Sequence, residues 1–146
     1  MEEQGGSQMR RVLIVVVAVL GIGALGAPAA LAGSPHFVGD VQVSRSGNTL
    51  SASGKEAGLG NEAQVHVVLS ATALCINGGS NHPKAANKQS VNAAGDFPVQ
   101  NGKANFSLSV TATFQPSCSP PMTVRFTDVT VADTTNNLNA SVPGTF

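Results

Sequence analysis

From residue 33 onward apolar side chains recur at every second position, and no stretch repeats with the 3.6-residue period of a helix. Successive side chains of a strand point to opposite faces, so this alternation predicts strands. Phe37, Gly39, Val41 and Val43 share one face of a first strand, and Ser46-Gly47-Asn48 turns the chain. Leu50, Ala52 and Gly54 make a second, shorter strand before the glycine-punctuated loop Ala57–Asn61. The clearest strand follows, with Ala63, Val65, Val67, Leu69, Ala71, Ala73 and Cys75 on a wholly apolar face. A long polar loop spans 77–89, and a short strand is predicted over Ser90–Ala94. Phe97 and Val99 lead into Asn101-Gly102, a strong two-residue hairpin signal. Beyond it Ala104, Phe106, Leu108, Val110, Ala112 and Phe114 line another face. Met122, Val124 and Phe126 begin the next strand, and the parity then changes to Val129 and Val131, which predicts a bulge near Thr127-Asp128. Leu138, Ala140 and Val142 form a last strand after an Asn136-Asn137 turn. About seven strands with regularly spaced turns predict an all-β fold, an antiparallel β-sandwich.

The first 32 residues read differently. Arg10 and Arg11 precede an apolar run, Val12 to Ala32, that dilutes into Gly and Ala and contains Pro28. It ends on Ala30-Leu31-Ala32, with small residues at the two positions a signal peptidase reads. That order predicts a signal peptide over 1–32, cut between Ala32 and Gly33, with export by the general secretory route. Residues 33–146 are then one β-sandwich domain with no stable membrane anchor. The alternative is an uncleaved signal anchor that tethers the chain to the membrane. Met9 stands directly before Arg10, so Met1 and Met9 are both available starts.

Composition narrows the function classes. Net charge is zero, Trp and Tyr are absent, and the aromatic content is 4%, all Phe. A neutral chain has no field that gathers phosphates, and the usual Trp and Tyr stacking platforms are absent, so nucleic acid is not an expected partner. Within 33–146, Ser, Thr, Asn and Gln outnumber charged residues roughly three to one, as befits an extracellular strand-rich surface. The two cysteines, Cys75 and Cys118, form one disulfide in an oxidising compartment. In the chain-entropy description, closing that loop is worth roughly 4 kcal/mol.

Candidate chemistry is sparse. His36, His66 and His82 lack metal-ligand spacing, which argues against a metal site. No G-x-S-x-G elbow is present for a serine nucleophile, and no catalytic residue is assigned. Asp40, Asp96, Asp128 and Asp133 are scattered; Asp128, at the expected bulge, reads as a carboxylate capping freed backbone N–H groups. No adjacent carboxylates suggest glycoside hydrolysis, and Glu56 and Glu62, flanking the glycine loop, read as solvated. The long loop has no acid for calcium and is slightly basic; Asn77, Asn81, His82, Lys84 and Lys88 are its binding-loop candidates. No cofactor is expected.

Ala57-Gly58-Leu59-Gly60-Asn61, Cys75-Ile76-Asn77-Gly78-Gly79 with Asn81 and Pro83, Val99-Gln100-Asn101-Gly102-Lys103, and Cys118 followed by Phe126-Thr127-Asp128-Val129 occur in that order. Together they resemble an uncharacterised family of small secreted bacterial proteins with an immunoglobulin-like sandwich. The resemblance implies secretion, the disulfide and the fold, and carries over no functional residue. More loosely, the chain is similar to secreted apoproteins that shelter enediyne chromophores, which carry two disulfides where this chain has cysteines for one. The expected function is a secreted, monomeric, non-enzymatic binding or structural module with an extracellular or cell-wall partner. One alternative is a carrier of a small apolar ligand, motivated by the Ala-lined strand faces. A hydrolase with a triad assembled from distant residues is a third.

Overall fold

The structure, a computed structural model, describes residues 33–77 and 87–146. The leader over 1–32 and the loop residues Asn81, His82 and Lys84 lie outside the described residues. Among the described residues eight strands follow one another: β1 (His36–Phe37), β2 (Gln42–Ser46), β3 (Thr49–Ala57), β4 (Gln64–Ile76), β5 (Lys88–Pro98), β6 (Lys103–Thr111), β7 (Thr123–Asp133) and β8 (Leu138–Val142). Every pairing between them is antiparallel. In one sheet β3 is central, with β6 along one edge and β1 and β2 end to end along the other. The second sheet has the order β5-β4-β7-β8.

The inward faces meet in one apolar core. Leu50, Ala52, Phe106 and Leu108 come from the first sheet, and Val65, Val67, Leu69, Phe126, Val129 and Val131 from the second. This is the all-β, sandwich-like double layer that the alternation predicts, because a strand with one apolar face must bury that face against a partner. Phe106 links the layers edge-on: its ring centroid lies 5.9 Å from that of Phe37 in β1 and 6.3 Å from that of Phe97 in β5. A methyl group at Gly54 would lie 2.5 Å from the Phe106 ring, so the missing side chain of Gly54 is space that Phe106 fills.

Several boundaries differ from the sequence reading. The first strand is broken. His36 faces Ala57 while Gln42 faces Ser53, so two extra residues are accommodated between β1 and β2. The break holds Gly39 at a φ of +69° and leaves Val38 exposed. β3 runs three residues beyond Gly54, because Glu56 takes the next inward position. β5 is one strand of eleven residues rather than a short one, so Lys88 and Gln89 belong to a ladder with Leu74 and Ala73 and not to the long loop. The Asn101-Gly102 turn forms as expected, with φ of 52° and 71° and reciprocal hydrogen bonds between Gln100 and Lys103. It does not close an ordinary hairpin. Its flanking strands separate after that one pair, β5 into the second sheet and β6 into the first.

The predicted bulge is present. Ser70 faces Thr130 but Thr72 faces Thr127, so Ala71 opposes both Asp128 and Val129. Asp128 takes the left-handed conformation, φ 53°, that the extra residue requires. Cys75, buried near the end of β4, is bonded to Cys118 in the loop between β6 and β7, with Cα atoms 5.7 Å apart. The Met122 sulfur packs 3.7 Å from the Cys75 sulfur. The bond clamps the sheet end from which the long loop leaves.

Candidate functional site

The sequence places the contact surface on the long loop. Asn77 is exposed immediately after β4, and Lys88 is the exposed first residue of β5, directly across from Leu74. These two mark the loop's ends at the disulfide-bonded end of the molecule. The remaining candidates, Asn81, His82 and Lys84, lie outside the described residues.

The opposite end gathers polar chemistry that the sequence reading leaves dispersed. Glu56 and Asp133 are both fully buried. Glu56 continues the inward series Leu50, Ala52, Gly54 on β3, and Asp133 continues Val129, Val131 on β7, so each sheet contributes one acid to the space between the layers. Asp133 is well satisfied. Its Oδ1 accepts hydrogen bonds from the backbone N–H groups of Thr135 (2.8 Å) and Asn136 (3.3 Å). Its Oδ2 accepts from Asn136 Nδ2 at 2.7 Å, and the same amide nitrogen donates to Glu62 Oε2 at 3.0 Å. Among the described residues nothing donates a hydrogen bond to either carboxyl oxygen of Glu56. Burial, reinforced by the neighbouring Asp133 charge and then more weakly by Glu62, pushes the Glu56 pKa up to about 8. Burial therefore favours the neutral acid, since two adjacent buried carboxylates repel.

Two sequence expectations are corrected here. Glu56 is not solvated, and Glu62 is half-buried and held by Asn136. A close pair of carboxyl groups does exist, made by the fold from residues 77 apart in the chain. It has no access for a sugar, since both acids have 0% exposure, so the pair acts within the protein rather than on a substrate. Among the described residues no three His, Cys, Asp or Glu side chains are grouped to hold a metal ion. The sequence signal for the pair was parity: both acids stand in phase with the apolar residues before them.

Above this pair the glycine loop closes over the Asn101-Gly102 turn, with Leu59 N–H donating to the Gly102 carbonyl at 3.0 Å and the Leu59 side chain buried. Beside the turn, on the solvent side of the first sheet, lies a pocket of about 340 Å³ lined by Lys55, Pro98, Gln100, Asn101, Lys103 and Asn105. Lys55 faces Asn105 across the β3–β6 ladder and Lys103 faces Ala57, so the two ammonium side chains are diagonal neighbours on one face. Farther along that face the hydroxyls of Ser51 and Ser109, and of Thr49 and Thr111, meet at 2.8 Å in each pair. Nothing in the local sequence joins Lys55 to Lys103; the antiparallel register does.

On the second sheet His66 Nδ1 lies 2.7 Å from Asp96 Oδ1, a directly opposed cross-strand pair with each side chain about half exposed. Such a pair at the surface contributes about 0–1 kcal/mol. The expected capping role of Asp128 takes another form: its Oδ2 accepts from the Thr127 hydroxyl at 3.0 Å, and the residue lies on the rim of an open surface pocket with Thr130, Ser141 and Pro143. No family model, curated protein or solved structure matches the chain.

Proposed function

We propose that this chain is a secreted, non-enzymatic binding module with an immunoglobulin-like fold. The observation that carries the reading is the Cys75–Cys118 bond, since a lone structural disulfide belongs to an oxidising compartment. The pairing scheme supports the fold name. Immunoglobulin-like sandwiches pair the second strand with the fifth and the third with the sixth across two sheets. Counting β1 and β2 as one interrupted strand, β3 pairs with β6 and β4 with β7 in the same way, while β5 sits beside β4. The leader-like segment over 1–32, with its Ala30-Leu31-Ala32 ending, fits export and release. An extracellular or cell-wall partner is the expected target, without cofactor. A carrier of a small apolar ligand has less support, because at Gly54 and Gly95 the interior room is occupied by Phe106, Phe97 and Leu108.

Expression in the native host tests this directly. Mass spectrometry of the culture medium should show a chain that begins at Gly33 and carries no free thiol, and a cell-envelope fraction should retain it. Recovery only inside the cell, with two reactive thiols, overturns the reading.

A further inference from the structure

We propose that the outward face of the β2–β3–β6 sheet binds an acidic polysaccharide, with an anionic group of the sugar seated between Lys55 and Lys103. The proposal rests on the binding-module reading and supplies its surface and ligand class. Its first support is charge segregation. Residues 33–146 hold equal numbers of acidic and basic side chains, yet the strands of this face carry no outward acid; the exposed Asp40 stands at the sheet edge, in the break between β1 and β2. β1, β2 and β6 contain no acid at all, and the single acid of β3, Glu56, points inward. Lys55 and Lys103 nevertheless stand diagonally adjacent, and neither has a carboxylate partner among the described residues. Like charges so placed oppose folding slightly, so their juxtaposition is better accounted for by an anion that both contact.

The second support is the character of the surroundings. Gln100, Asn101 and Asn105 bring amide donors and acceptors to the pocket wall, and Pro98 closes one side. The face then continues as hydroxyl rungs, Ser51 with Ser109 and Thr49 with Thr111, with Ser53 beside Ser107 between them and the pocket. A partner fitted to this face is hydrated, rich in hydroxyls and sparsely charged. A nucleic acid brings a phosphate at every step and needs stacking rings and more cations. A membrane surface needs an apolar anchor or a longer run of basic residues. An acidic peptide offers carboxylates and backbone amides but few hydroxyls to meet the hydroxyl rungs. A polysaccharide with carboxylates among neutral hydroxyls has the required chemistry.

The test uses the disulfide-bonded chain labelled with nitrogen-15, titrated with tetrasaccharides of galacturonate and of hyaluronan and with the neutral methyl ester of the galacturonate oligomer. At least one acidic oligomer is expected to shift the amide signals of Lys55, Asn101, Lys103 and Asn105, and the ester is expected to leave them in place. Lys55→Gln and Lys103→Gln should each weaken binding about tenfold, because each removes one charge-assisted contact. Both positions are exposed, and unchanged spectra elsewhere will show that the variants fold. The proposal is overturned by silence toward both acidic oligomers at millimolar concentration, by equal binding of the ester, or by full affinity in the double variant. Preference for an oligo-aspartate or for phosphatidylglycerol vesicles overturns it as well. If the envelope retains the wild type and the double variant alike, this surface is wrong while the module reading stands. If the protein never leaves the cell, the module reading fails instead.

Discussion

Glu56→Gln separates the electrostatics of the buried acid pair from its packing. The unfolded chain releases the Glu56 proton near the ordinary value of 4.5, and the folded chain holds it until about pH 8. Between those values the native state binds more protons than the unfolded state, so stability falls as pH rises. Stability is therefore fully present below about pH 4.5 and is lost progressively through pH 8. Each unit of the window is worth about 1.4 kcal/mol, which sums to about 3–4 kcal/mol between pH 5 and pH 8. That is equivalent to a fall in Tm of about 10 °C or more for a domain of this size. Glutamine has the same shape and cannot ionise. The variant should match the wild type at pH 5 within about 1 kcal/mol and exceed it by about 3 kcal/mol at pH 8. Urea unfolding at several pH values, followed by far-ultraviolet circular dichroism because the chain has no Trp or Tyr, measures both slopes. Taking the difference between variant and wild type cancels the titration of the histidines. A wild-type stability that is flat or rising from pH 5 to 8, or an unchanged slope in the variant, would refute the argument.

Other expectations follow from packing. Cys75→Ser should lower stability by about 2–5 kcal/mol in the same urea assay, and a thiol reagent should find no reactive group in the native wild type. Gly54→Ala places a methyl group against the Phe106 ring and should cost about 1–3 kcal/mol; a neutral effect would mean that the ring has room to move. Asp128→Val puts a β-branched side chain at a φ of 53° and should cost about 1–2 kcal/mol, whereas Asp128→Gly should be nearly neutral. Deleting Phe146 removes two backbone hydrogen bonds of 3.0 Å to Phe126, and hydrogen exchange at the Phe126 amide should accelerate on its loss.

Much of the architecture is visible in local pattern. The parity change after Phe126 locates the bulge to within a residue, because a single inserted residue must switch every later side chain to the other face. Two cysteines allow one intramolecular pairing, so the disulfide needs no geometry to be named. The extent of β5 is less visible. Lys88 and Gln89 look like loop residues, yet they form part of a strand because β4 offers an unbroken row of backbone partners. Composition reports what a side chain prefers, whereas a ladder is made by main-chain groups that every residue except proline carries.

Alternation along the chain decided most of the strands, their apolar faces and the bulge, and the count of cysteines decided the disulfide, because each depends on neighbours within a few residues or on counting. The buried acid pair and the basic pocket depend on register between distant strands. Glu56 in phase with Leu50 and Ala52 reads equally well as the solvated end of a strand or as a buried acid. Asp133, brought from the opposite sheet, together with closure of the glycine loop, makes it the latter. Lys55 and Lys103 become neighbours through the β3–β6 ladder alone. Hydrophobic burial is specified residue by residue; the meeting of two charges is specified by the whole path of the backbone between them.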